Sequence, residues 1–274
     1  SQKSHSGGGA GERGRLGMLP NNKWHLNIVM AKATFSDIRP GVAVALAMLA
    51  NHLSYGMTET ADGYGDSFME RAHGSGTQRI FNAYTSWVYA ALALHMLWRL
   101  AYVGNVRWPK TMGVEAAVLG WFAYFSYRWH TDQQRWAGSE DIWCVMFLCA
   151  SCLSRYIVPD SEGRAAAFTW IPMLALAIDR RVHATDTGDG VPCNTEIIGV
   201  LAYILLYYSV AKQQYWQALA FGLAFLLKVL DMSVFSDHAV HPLLSGTGWF
   251  HLLTGAAMFL HYSHLFTDPP YKRS

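Results

Sequence analysis

The reading of the fold turns on MGVEAAVLGWFAYFSYRWH, Met112 to His130. The run is apolar over most of its length and ends in polar residues. Ser126 and His130 are four apart, so on a helix they share one face, one turn apart. A spanning helix needs roughly 20 mostly apolar residues, and this run approaches that length. A single such run would be ambiguous. Seven more make it a pattern: Pro40 to Met57, Ile80 to about Val103, Asp141 to Val158, Ala165 to Ile178, Glu196 to Val210, Trp216 to Met232 and Gly246 to Phe266.

The composition agrees. Of 274 residues, 52% are hydrophobic, 14% aromatic and only 15% charged. Soluble domains average about 25% charged residues. The charges cluster between the apolar runs, which predicts an all-α, multi-pass integral membrane protein. Pro109 precedes the third run and Pro159 ends the fourth. Tyr and Trp gather near run ends, at Trp108, Trp129, Trp136, Tyr156, Tyr207, Tyr208 and Trp216, as membrane-interface belts do. Lys and Arg are spread over the loops without separating two sides, so topology stays open. A net charge of +2 gives no reason to expect a nucleic-acid partner.

Residues 1–36 form a Gly-rich, polar extension that cannot bury enough apolar surface to fold alone. Its Ser, Gly and Arg content is compatible with organellar import, which makes an organellar inner membrane one candidate location. Residues 37–79 add an apolar helix and a polar loop, residues 80–266 form the main membrane domain, and residues 267–274 are a polar tail. Of the four cysteines, Cys144, Cys149 and Cys152 fall in one apolar run and read as small core or lipid-facing residues rather than a metal site.

Ionisable residues inside such runs are costly, about 2.5–3.5 kcal/mol at a helix centre, and each is a functional candidate. Ser126 and His130 close the third run. Asp141 opens the fourth, where a carboxylate also suits a helix start. Lys228 and Asp231, three apart in LLKVLDM, read either as a mutually neutralised pair or as part of a site. His251 sits in SGTGWFHLLTG, with Thr247 one turn before it. His261 and His264 read as interfacial. A serine, two histidines and a carboxylate on three apolar runs could converge in one bundle core and there hold Zn²⁺, which makes bound water nucleophilic near neutral pH.

In order and spacing, Ser126, His130 and Asp141, then FGLAFLLKVLDMSVFSDH with Asp231, then HLLTG from His251, resemble the alkaline ceramidase family of the CREST superfamily of membrane hydrolases. FNAYTSW after Glu70 and Arg71 is similar to the start of that family's first core helix. The resemblance covers Asp66 to Leu265. It implies a seven-helix bundle from about Ile80 to Phe266 with an extra N-terminal helix. It also implies a zinc amidase site in which Ser126 stabilises an oxyanion, Asp141 acts as general acid and base, and His130 and His251 bind the metal.

The departures are specific. The third histidine of the family's zinc site corresponds to Thr247, and a neutral hydroxyl is a poor zinc ligand. His238 or His241 could substitute from the preceding loop. Asp66 and Glu70 could serve a calcium site, but Arg79 stands near an expected carboxylate, so Ca²⁺ is not expected. Lys228 would oppose Zn²⁺ or occupy its place. One reading is therefore a pseudoenzyme: a ceramidase-like scaffold or lipid-binding subunit, in contact with membrane lipids and other membrane-protein subunits. The alternative is an active zinc-dependent hydrolase that cleaves the ceramide amide to sphingosine and fatty acid.

Overall fold

The computed structural model describes residues 35–55, 79–103, 106–132, 135–183, 195–233, 243 and 245–267. Among the described residues the chain is helical, with no strand. The helices are α1 (Phe35–Tyr55), α2 (Ile80–Thr85), α3 (Trp87–Trp98), α4 (Pro109–Asp132), α5 (Arg135–Ile157), α6 (Glu162–His183), α7 (Thr195–Ala211), α8 (Tyr215–Ser233) and α9 (Gly246–Thr267).

Each predicted run has its helix, with changed edges. Pro109 is the first residue of α4, where its missing N–H costs nothing. The run from Ile80 is broken into α2 and α3 around Ser86, and a π-helical turn, Arg99–Val103, closes it. α6 continues to His183, so residues 179–183, expected in a loop, are helical. Two prolines, Pro40 in α1 and Pro172 in α6, lie inside helices.

Successive long helices run in opposite directions. Phe122 of α4 stacks on Tyr89 of α3 with centroids 4.1 Å apart, and Trp87 at the start of α3 meets Tyr127 near the end of α4. Glu115 near the start of α4 pairs with Arg155 near the end of α5. Gly41 of α1 lies so close to Gly113 that an added Cβ would stand 2.5 Å from its carbonyl oxygen, so α1 runs parallel to α4. Two ends of the bundle result. The ends of α4 and α8 and the starts of α2, α5 and α9 share one. The starts of α4, α6 and α8 and the ends of α5, α7 and α9 share the other.

The distribution of polarity across the bundle is unusual. Glu115, Ser126, His130, Arg155, Asp231, Thr247, His251 and His261 are buried, while Leu94, Ile171, Leu174, Val200, Leu226 and Val229 are more than half exposed. The buried ionisable groups interrupt the apolar runs. Among the described residues, no helix is long and apolar enough to cross a membrane.

Candidate functional site

At one end of the bundle, α2, α4, α5, α8 and α9 bring together most of the residues singled out by sequence. His251, one turn into α9, points its ring at the start of α2. Its Nδ1 lies 3.1 Å from the Asn82 carbonyl and 3.1 Å from the Thr85 hydroxyl. A carbonyl only accepts, so Nδ1 carries the proton and Nε2 keeps its lone pair. That lone pair faces Ser126 Oγ at 3.4 Å. The His130 ring, one turn beyond Ser126 on α4, lies 5.2 Å from the His251 ring. Ser86 donates to Ser126 Oγ at 3.0 Å, and Ser126 is hydrogen-bonded in turn to Asp141. The second carboxylate oxygen of Asp141, Oδ1, is buried and has no hydrogen-bond partner among the described residues.

Beside this group, Thr247 is engaged on both sides. Its backbone N–H donates to Asp231 Oδ2 at 2.7 Å, and its hydroxyl also donates to that oxygen. The same hydroxyl accepts from Lys228 Nζ at 3.0 Å. Lys228 and Asp231 thus meet at Thr247, and the ammonium also sits 5.8 Å from the Phe250 ring centroid. A carboxylate at the first turn of α9 also suits the helix dipole. Gly246 permits this contact: a Cβ there would collide with the Leu227 carbonyl and Asp231 Cβ. Gly246→Ala should therefore destabilise the protein by about 1–3 kcal/mol, an overpacking cost read as a lower unfolding midpoint.

Ser126 meets His251, and the His130 ring stands 5.2 Å from the His251 ring, but among the described residues the donor set for zinc is not complete. Among the described residues, no group of three or more His, Cys, Asp or Glu is arranged to hold a metal ion. Where a third imidazole would stand, a threonine hydroxyl is committed to Asp231 and Lys228. A protonated amine at that point repels a divalent cation, and a neutral hydroxyl already in two hydrogen bonds is a weak ligand. The described residues do not fit a zinc ion. His238 and His241, the proposed substitutes, and Asp66 and Glu70, the calcium candidates, lie outside the described residues. Arg79 is fully buried at the mouth of α2, with its guanidinium 5.7 Å from the Trp129 ring centroid.

The sequence reading missed two features. Asn82, Thr85 and Ser86 are site residues. Their signal was a run of hydrogen-bonding side chains, NAYTS, at the head of an apolar helix. The second is a polar network at the far end. Glu115 accepts from Arg155 through both oxygens, at 2.6 and 2.7 Å, and from Ser151. Arg155 lies over the Trp108 and Tyr262 rings and reaches His261 Nε2 at 3.4 Å. His261 Nδ1 is 3.4 Å from Tyr156, which bonds Gln214 and accepts from Gln217. Arg155, inside the Asp141 to Val158 run, is buried in the core. So is His261, expected at the interface, whereas His264 is exposed.

Between the two polar ends lies an apolar pocket of about 20 Å³ lined by Tyr89, Phe122, Leu148, Phe221, Phe225 and Met258 among others. No protein-family model matches the chain, and no curated protein or solved structure matches it.

Proposed function

We propose that the protein is a multi-pass membrane protein of ceramidase-like architecture, a seven-helix bundle preceded by one added helix. In this reading it has lost zinc amidase chemistry and serves as a structural, lipid-contacting subunit of a larger membrane assembly. The observation that carries the loss of chemistry is the Lys228 ammonium, 3.0 Å from the hydroxyl of Thr247. A fixed cation takes the position of a metal ligand and, with Asp231, closes the local charge balance without a metal.

The membrane setting is supported by the inside-out polarity and by two levels of exposed aromatics. Tyr84, Trp87 and Trp249 lie at the site end, and Trp98, Tyr102, Tyr207, Tyr215 and Trp216 at the other. Such rings favour the water–lipid interface. From Tyr84 to Trp98 the helices rise about 21 Å at 1.5 Å per residue. A band this short suits a locally thinned bilayer. Glu115, His130, Arg155, Asp231, His251 and His261, on α4, α5, α8 and α9, are turned inward, where a membrane bundle holds such groups.

The alternative, an active zinc amidase, draws on one observation: His130, His251, Ser126 and Asp141 do converge. Metal analysis of the purified chain separates the two. The scaffold reading expects substoichiometric zinc and no ceramide hydrolysis. One zinc per chain that is lost in both His130→Ala and His251→Ala would overturn it.

A further inference from the structure

We infer that α7 and the turn after it form an acid-released lid over the apolar pocket, closed by a latch that runs from His261 through Tyr156 to Gln214. The lid follows from the packing of the bundle and does not depend on whether the chain crosses a membrane.

The latch belongs to the polar network at the far end, which the ceramidase-like reading leaves without a role. Arg155 Nη1 lies 3.4 Å from His261 Nε2. A guanidinium only donates, so Nε2 accepts and the ring proton sits on Nδ1. Nδ1 lies 3.4 Å from the Tyr156 hydroxyl. That hydroxyl also accepts from Gln217 Nε2 at 3.1 Å and donates to Gln214 Oε1. Each step has one direction, and the direction requires a neutral imidazole. Tyr156 also stacks on Tyr208 of α7, with the two rings 4° from parallel. Through this one side chain, α5 holds both the end of α7 and the turn.

The turn is held in a strained form. Gln213 has φ 60°, a left-handed conformation that glycine usually fills at a helix end. Its N–H bonds the Val210 carbonyl and the Gln214 N–H bonds the Ser209 carbonyl, which caps α7. Gln214, the next residue, is the one that meets Tyr156. Below the turn, Leu205 of α7 lines the pocket with Cys149 and Cys152 of α5 and Phe221 of α8. α8 is anchored separately at its other end, where Asp231 accepts from the Thr247 backbone N–H. Release of the latch therefore acts on α7.

A proton on His261 Nε2 turns an acceptor into a donor and sets one cation against another at Arg155. The groups around the ring do not offset this. Glu115 of α4 is already engaged by Arg155 through both oxygens. The remaining titratable neighbours are Tyr156 of α5, Tyr262 beside His261 on α9, and the exposed His264. An opened form exposes Nε2 to water, where histidine takes a proton below about pH 6.5. The closed form is thus favoured above that pH. Below it, the open fraction rises by up to about tenfold per pH unit.

Cysteine reactivity of the purified 274-residue chain in detergent tests the lid. Cys149 and Cys152 line the pocket, whereas Cys144, also buried in α5, does not. N-ethylmaleimide labelling is read site by site by mass spectrometry. Dividing the rates at Cys149 and Cys152 by the rate at Cys144 cancels the intrinsic pH dependence of thiols. The ratio should rise about tenfold or more from about pH 7.5 to about pH 5. His261→Gln keeps an acceptor for Arg155 and a donor for Tyr156 without a titrating group, and should abolish the rise. Gln214→Ala cuts the latch at its outer end and should raise the ratio already at neutral pH, which decides the case even where acid unfolds the whole bundle. An equal rise in His261→Gln, or a neutral-pH ratio in Gln214→Ala no higher than in the wild type, would overturn the lid.

Discussion

Arg155→Ala is expected to cost about 3–5 kcal/mol of stability. Glu115 and Arg155 are 2.6 Å apart and almost wholly excluded from solvent, at 0% and 5% side-chain exposure. Removing the guanidinium strands a carboxylate in an apolar core, and stranded buried charges carry penalties of that size. Ser151 alone cannot neutralise Glu115, since a hydroxyl offers one hydrogen bond and no charge. The loss also spreads, because Arg155 packs on Trp108 and Tyr262 and approaches His261. The double variant Glu115→Gln/Arg155→Met should recover much of the deficit, as replacing both partners of a buried pair by uncharged residues is often nearly neutral. A thermal-unfolding cycle over the wild type, both singles and the double measures the coupling. If the two single losses simply add in the double, the pair is not acting as a unit.

This pair also marks where sequence reading ran out. The helices were legible because apolar runs of this length admit few alternatives, and the proline positions supplied several edges. The site was legible in part because Ser126 and His130 repeat at helical spacing and Asp141 opens the next run. Glu115 stood in the quoted stretch from the start, an ionisable residue in an apolar run, and carried the same signal as His130. It was passed over because its partner lies 40 residues away, and only the antiparallel packing of α4 on α5 makes them neighbours. Arg155 looked like a boundary residue because basic side chains commonly sit at helix ends. The roles of Asn82, Thr85 and Ser86 depend on α9 packing against α2, a contact between segments more than 160 residues apart that periodicity does not encode. The engagement of Thr247 by Lys228 and Asp231 is likewise a product of the α8–α9 approach at Gly246. Sequence could mark Thr247 as a missing ligand but could not say what occupies its place.

Thr247→His combined with Lys228→Met should convert the site into a zinc binder, with an affinity gain of about three orders of magnitude over Thr247→His alone, or about 4 kcal/mol. The argument is electrostatic. An imidazole at 247 adds a third nitrogen one turn before His251, on the face that already meets His130. With Lys228 retained, its ammonium remains beside the new ligand. A unit charge 4 Å from another is repelled by about 4 kcal/mol at an effective dielectric of 20, and a divalent ion doubles that. The half-buried position of Lys228 reduces the figure through solvent screening, which brings the expectation back to a few kcal/mol. Lys228→Met keeps the apolar stem that packs near Phe250 and removes only the charge. Asp231 keeps its hydrogen bond from the backbone N–H of residue 247, so the start of α9 stays anchored. Zinc titration with a competing chelator, followed across the wild type, both singles and the double, reads the effect directly. Strong binding by Thr247→His alone would mean that Lys228 does not guard the site, and that the loss of one imidazole accounts for the absence of metal chemistry. Failure of the double to bind would mean that His130 and His251, with rings 5.2 Å apart, are held too rigidly to close on one ion.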